Sequence, residues 1–192
     1  MSGNPFGVMI ETSFKESEAL QKITEAMKEI QNLEALIGIP QEANVAHKDE
    51  RGTASPITLA ELLYIHTYGS PVNNIPARDV LDSAMEHNQD DIVMLLKKVL
   101  ERASNGDLEG AKAALDKAGI QGASMAKKWF TDPANGWAKN ADITVDGGWM
   151  KNKVSGKTFY VKGKGSNRPL VDTGELRKSI TSVVRRKGKT KR

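Results

Sequence analysis

Arg168-Pro169-Leu170-Val171-Asp172-Thr173-Gly174-Glu175-Leu176-Arg177-Lys178-Ser179-Ile180 is the stretch around which the rest of the chain is arranged. Pro169 favours an extended residue before it. Asp172 or Thr173 is a good helix N-cap, and Glu175 stands where it can return a capping-box hydrogen bond. The stretch therefore reads as strand or loop, then a capped helical turn. Leu176 and Ile180 lie four apart on one face of that turn, and Ile180-Thr181-Ser182-Val183-Val184 is β-branched enough to continue as a strand. This is ordinary capping chemistry and implies no catalytic group.

Upstream, the hydrophobic pattern is mostly helical. Gly7-Val8-Met9-Ile10-Glu11-Thr12 is a short β-prone run, and Ser13 with Glu16 makes a capping box ahead of a periodic segment. Leu20, Ile23, Met27, Ile30 and Leu33 recur at spacings of three and four, which predicts a helix with one apolar face. Leu36-Ile37-Gly38-Ile39-Pro40 begins another extended piece. Residues 41–56 are polar and aperiodic, which predicts a long mobile loop. Thr58 and Glu61 form a second capping box for a short helix, carrying Leu59, Leu62 and Leu63 and stopping at Gly69.

Ser70 to Pro76 is a turn-rich connector whose prolines forbid helix continuation. A long helix is then expected from about Ala77 to Asp79 onward, with a stripe of Leu81, Ala84, Met85, Asn88, Ile92, Leu95, Leu96, Val99 and Ala103. Asn88 is its only polar break. Asn105-Gly106 stops this helix and Asp107 caps another, whose seam is Leu108, Ala111, Leu115, Ala118, Gly122, Met125 and Trp129. The pair reads as a helical hairpin, and small residues on its second helix permit close approach to the first.

After Asp132-Pro133 the texture changes to turns and short β-prone pieces. Ile143-Thr144-Val145, a turn at Asp146-Gly147-Gly148, and Thr158-Phe159-Tyr160-Val161 suggest a β-hairpin arm within residues 145–168. Trp137 and Trp149 are candidates for core or subunit-interface anchors. The expected class is α+β: an antiparallel sheet of short strands packed by the N-terminal helix and the helical hairpin, in one domain over residues 1–184, with a basic tail at 185–192.

Charge is distributed unevenly. From Met150 onward fourteen Lys or Arg face only Asp172 and Glu175, a net of +12, which leaves −8 for residues 1–149 of a chain whose net charge is +4. Such a split suits subunits that pair head to side, or contact with a nucleic-acid backbone. There is no Cys, so disulfides and thiolate metal sites are excluded. Residues 1–6 lack the form of a signal peptide, and no apolar run approaches a membrane span, so a soluble, cytoplasmic product is expected.

Familiar chemical signatures are missing. His47, His66 and His87 are too scattered for a helical metal pair, and Lys162-Gly163-Lys164-Gly165-Ser166-Asn167 lacks Walker spacing. Asp172-Thr173-Gly174 occurs once and precedes a helical turn, whereas an aspartic protease needs two paired carboxylates. His66, between Tyr64 and Tyr68, reads as a half-buried helix histidine. No enzyme activity, cofactor or metal is expected.

Three segments carry a resemblance. Pro169-Leu170-Val171-Asp172-Thr173-Gly174-Glu175-Leu176 with Ser179-Ile180 is similar to a signature of the neck and tail-completion proteins of tailed bacteriophages. Ile65-His66-Thr67-Tyr68-Gly69-Ser70 with Ile75-Pro76-Ala77-Arg78, and Trp137-Ala138-Lys139-Asn140 with Thr144, resemble two further pieces of that family, in the family's order. Together they span residues 60 to 185. Asp79-Val80, and the Gly/Lys-rich insert between Thr144 and Arg168, depart from its pattern.

The resemblance implies a structural virion protein made in the host cytoplasm. It would form a ring, six-fold or twelve-fold, in the neck between head and tail. Its partners would be other neck or adaptor proteins, the tail terminator or tail tube, and channel DNA contacted without sequence readout, with no membrane. The alternative is a non-catalytic nucleic-acid-binding accessory protein using the basic C-terminal third. Structural roles are expected for Pro76 and Arg78, which anchor the start of the long helix. Trp137 would plug the adjoining core. Pro169, Asp172, Thr173, Gly174, Leu176 and Ser179 would form the turn and its supports. Arg51, Arg185, Arg186 and Lys187 are the interface or DNA-facing candidates.

Overall fold

A computed structural model describes residues 17–48, 54–152, 155–167, 170 and 174–188. The strand expected at residues 7–12, the Ser13/Glu16 box, Arg51, Pro169, Asp172 and Thr173 lie outside the described residues.

The chain is α+β. Helix α1 (Glu18–Gln31) starts at Ser17, whose hydroxyl accepts the Leu20 N–H at 3.3 Å, and leads into strand β1 (Leu33–Gly38). β1 pairs antiparallel with the last strand, β6 (Thr181–Arg186), from Leu33↔Arg186 to Gly38↔Thr181. This ladder joins the two ends of the described chain. The Lys187 N–H lengthens it by donating to the Asn32 carbonyl at 2.8 Å. Strand β6 therefore takes in Arg185 and Arg186, which the sequence placed in a basic tail. Glu34 holds Arg185 at 3.0 Å and Glu29 holds Arg186 at 2.6 Å.

Strands β2 (Ala46–Lys48) and β3 (Ala54–Thr58) pair antiparallel within the segment expected to be a long loop. Three residues of β2 cannot display a period, and Pro56 has no N–H to give, so this edge pairing left no sequence pattern. Helix α2 (Leu59–Tyr68) follows at once, and its Thr58/Glu61 capping box is present with both reciprocal bonds.

The long helix is two helices, α3 (Leu81–His87) and α4 (Gln89–Ser104). The break is at Asn88, whose side-chain amide donates to the Ala84 carbonyl at 2.7 Å, competing with the backbone for the same acceptor. The helix also starts later than expected, at Leu81. Asp79 sets that start: its carboxylate accepts the N–H of Asp82 at 3.3 Å and of Ser83 at 2.8 Å. The residue that departs from the family pattern is thus the cap. Asp79→Ala should lower unfolding free energy by about 1 kcal/mol, with Asp79→Asn retaining part of it, as read by urea unfolding.

Helix α5 (Leu108–Trp129) begins at Asp107, which accepts the Gly110 N–H at 2.9 Å, and packs antiparallel on α4. Its small residues serve two packings, with Ala111 meeting Val99 and Ala103 of α4 as expected and two glycines facing a strand ladder. A Cβ at Gly119 would lie 3.1 Å from Ser182, and one at Gly122 would lie 2.4 Å from the Ile37 Cδ1. Gly119 and Gly122 therefore let α5 lie on the β1–β6 ladder as well as on α4.

Two apolar clusters sit along α5. One gathers Ala26, Val99, Ala103, Ala111 and Leu115 from α1, α4 and α5. The other gathers Leu59, Leu63, Val80, Ala84, Ala126, Trp129, Phe130, Leu176 and Ile180. Leu176 belongs to helix α7 (Glu175–Ser179), and Ile180 links that helix to β6. The helical turn and following strand expected from the opening stretch thus supply two residues of this core.

The remaining elements are helix α6 (Asp142–Val145) and the ladder of β4 (Gly147–Lys151) with β5 (Thr158–Lys162). Ile143, Thr144 and Val145 were expected to be extended. The Ala141 carbonyl instead accepts from Thr144 at 2.7 Å and Val145 at 3.1 Å, a local turn that outweighs weak β-propensity. Gly147, expected in a turn, begins β4 at φ 79°, where an added Cβ would lie 2.5 Å from the Gly163 nitrogen. Among the described residues the strands form three separate two-stranded antiparallel ladders.

Candidate functional site

The three segments that carry the resemblance meet at one cleft of about 730 Å³. From α2 and the connector come His66, Pro76 and Arg78. From the segment after α5 come Lys139, Asn140 and Thr144, and from the C-terminal stretch come Leu170, Gly174 and Leu176. His47 and Lys164 complete the polar lining.

Arg78 is the centre of the arrangement and is only 7% exposed. Its backbone N–H donates to the His66 carbonyl at 2.6 Å, and its Nη2 donates to the Ala138 carbonyl at 3.1 Å. It thereby ties the end of α2 to the segment following Trp137. No carboxylate among the described residues pairs with it, and its Nε is buried without a partner. Burial lowers the guanidinium's pKa. The sequence reading placed Arg78 at the start of the long helix; Asp79 takes that role, and Arg78 fastens two loops.

His66 Nδ1 is likewise buried without a hydrogen-bond partner. Desolvation, assisted by the nearby charge of Arg78 and then Lys164 and His47, lowers its pKa to about 4. It is therefore neutral at pH 7, and it is the half-buried helix histidine that the sequence suggested.

Trp137 packs against the core cluster, its ring edge-on to Phe130 at 6.0 Å and 84°. Gly174 adopts φ 74° immediately before α7, a conformation that glycine supplies without steric cost. Leu170 adopts φ 57°, unusual for a side chain with a Cβ, and packs on the core beside the cleft. Ser179 donates its hydroxyl to the Leu176 carbonyl at 2.8 Å and ends the turn. Glu175 accepts the Lys48 N–H at 3.3 Å, and its carboxylate is 3.7 Å from His47 Nδ1. The capping box expected of Glu175 involves residues outside the described ones.

Away from the cleft, apolar groups are exposed on the β4–β5 arm and on α4, and on α2 the exposed rings of Tyr64 and Tyr68 lie 4.6 Å apart. On the β4–β5 arm, Trp149 is 73% and Tyr160 is 60% exposed, and the two rings meet edge to face at 5.6 Å. Met150 and Phe159, the next cross-strand pair, are exposed on the opposite face of the ladder, and Met150 also lines the cleft. Trp149 is therefore a surface residue, while Trp137 is an internal one. On α4, Val93, Leu96 and Leu100 follow at spacings of three and four with Met94 beside them, all exposed. The sequence stripe included Leu96 but missed Val93, Met94 and Leu100, because core and surface apolar residues alternate around the same helix.

Among the described residues no group of three or more His, Asp or Glu is placed to hold a metal ion, and no helix is long and apolar enough to cross a membrane. Compared with known proteins, the chain matches no family model, no curated protein and no solved structure.

Proposed function

We propose that this chain is a structural, non-enzymatic virion protein of a tailed phage, assembling as a ring in the neck between the DNA-filled head and the tail. The observation that carries the reading is an exposed aromatic patch on a basic arm together with an exposed apolar stripe on α4 that starts beside Asp90 and Asp91, although Lys97, Lys98 and Arg102 flank its far end at Leu100. The arm, residues 147–167, contains five lysines and no acid. Residues 79–96, spanning α3 and the first half of α4, contain five acids and neither Lys nor Arg. A surface on one copy that fits a different surface on the next is a heterologous interface, the kind that closes rings.

Magnitudes favour assembly through many such contacts rather than one. Covering Trp149 and Tyr160 removes roughly 300 Å² of aromatic surface from water, worth about 8 kcal/mol before costs. Association itself costs about 4–15 kcal/mol. A single contact of this size is weak, and ring closure adds a second contact to every subunit. Convergence of the three resembling segments at Arg78 supports the same reading, because separated motif residues share one structural task there.

The partners on this reading are adaptor or other neck proteins on one side and the tail terminator or tube on the other, with DNA passing through unread. The accessory nucleic-acid-binding alternative draws less support: Arg185 and Arg186 each hold a glutamate within the chain.

Charge reversal tests the interface. Lys151→Glu with Lys157→Glu should weaken self-association at least about tenfold, and adding Asp90→Lys with Asp91→Lys should restore it. Sedimentation unchanged by either set would remove the support for this contact.

A further inference from the structure

We propose that the cleft around Arg78 is a binding site for a carboxylate group. A guanidinium that is only 7% exposed is costly to bury without a counter-charge, and among the described residues the Arg78 side chain meets a single carbonyl acceptor and no carboxylate. Removal from water without pairing is unfavourable, and an entering anion offsets that cost. Around it, the described lining residues include His47, His66, Lys139 and Lys164 but no Asp or Glu. Glu175, which follows the lining residue Gly174, accepts from Lys48 and lies 3.7 Å from His47 Nδ1.

The chemistry selects a monoanion with an apolar flank. His66 is neutral at pH 7, so Arg78 is the one deeply buried charge and a single negative charge balances it. Carboxylate geometry matches a planar guanidinium fork, whose Nε–H is unpartnered here. Leu62, Ile75, Ile143 and Leu170 line the same cleft and would cover the aliphatic part of such a ligand. The carboxylate comes either from a free acid or from an acidic side chain of a second copy, and the inference holds independently of the ring.

The test is titration of the full chain with acetate and butyrate against sodium chloride at matched ionic strength, followed by ¹⁵N NMR of the Arg78 Nε–H and by thermal unfolding. A saturable shift of that signal with a rise in unfolding temperature is expected, with butyrate binding more tightly than acetate. Arg78→Met should lower the apparent affinity roughly tenfold or more, and Arg78→Lys less. The wild-type NMR titration remains decisive if Arg78→Met does not fold. Chloride reproducing the shift, or inorganic phosphate saturating the signal while both carboxylates leave it unmoved, would overturn the proposal. Loss of self-association in saturating butyrate assigns the natural carboxylate to a neighbouring copy; unchanged self-association assigns it to a free acid.

Discussion

Phe130→Ala should cost about 3–5 kcal/mol of unfolding free energy, among the largest effects expected of a single truncation at a described residue. Phe130 is 2% exposed and follows the last turn of α5, where it joins Leu59, Leu63, Val80, Leu176 and Ile180. Four elements that are remote in sequence therefore share its ring. Truncation removes the transfer free energy of the ring and leaves a cavity that neighbouring backbone, pinned by the β1–β6 ladder, cannot fully close. Trp137 loses its edge-to-face partner as well. Phe130→Leu, which keeps most of the volume, should cost less than half as much. Urea unfolding at low protein concentration, so that self-association does not contribute, measures both variants. A Phe130→Ala cost below 1 kcal/mol would mean that this cluster is not the organising core.

Acidification gives the second large effect. The His66 pKa falls from 6.5 to about 4 on folding, chiefly because burial disfavours the imidazolium. Between those values the unfolded chain binds a proton that the native chain excludes. Stability therefore rises with pH across this window, and is lost as pH falls from about 6.5 toward 4. The full contribution is up to about 3 kcal/mol, complete only below the native pKa. Other groups titrate in the same range, so the informative quantity is the difference between wild type and His66→Gln. That difference should change by up to about 3 kcal/mol between pH 7.5 and pH 4, with the wild type the more acid-sensitive. An imidazole titrating near 6.5 in the folded protein would contradict the buried, neutral state.

Local chemistry was the legible part of the fold. Thr58 with Glu61 and Asp107 before Gly110 cap the helices that their side chains imply, since each acts within three residues. Leu176 and Ile180, four apart, reach the same core as expected. Pairing choices were not legible. Nothing in Leu33 to Gly38 names Thr181 to Arg186 as its partner, because antiparallel ladders are compatible with many partners and this one closes across most of the chain. Asn88 shows both sides: it stood out as the polar break in a stripe, but only the bond from its amide to Ala84 explains why the helix divides there.

The site divides in the same way. His66, Pro76, Arg78, Asn140, Thr144, Gly174 and Leu176 were visible as members of three separate segments, yet their meeting around one buried guanidinium depends on tertiary packing. Asp79, an exception to the motif, became intelligible once its carboxylate was seen holding the start of α3. The exposed stripe of Val93, Leu96 and Leu100 escaped notice because it lies around the helix from Val99 and Ala103, and a helix with apolar residues on both sides loses its clean period.

The central claim is heterologous self-assembly into a closed ring, and sedimentation of the purified full chain over a concentration series, with electron-microscope imaging of the largest species, tests it most directly. The account predicts a discrete terminal species of about six or twelve copies with a channel that admits duplex DNA, weakened by salt and by the arm charge reversals. A chain that stays monomeric at every concentration, or that stops at a two-fold symmetric dimer, would contradict it.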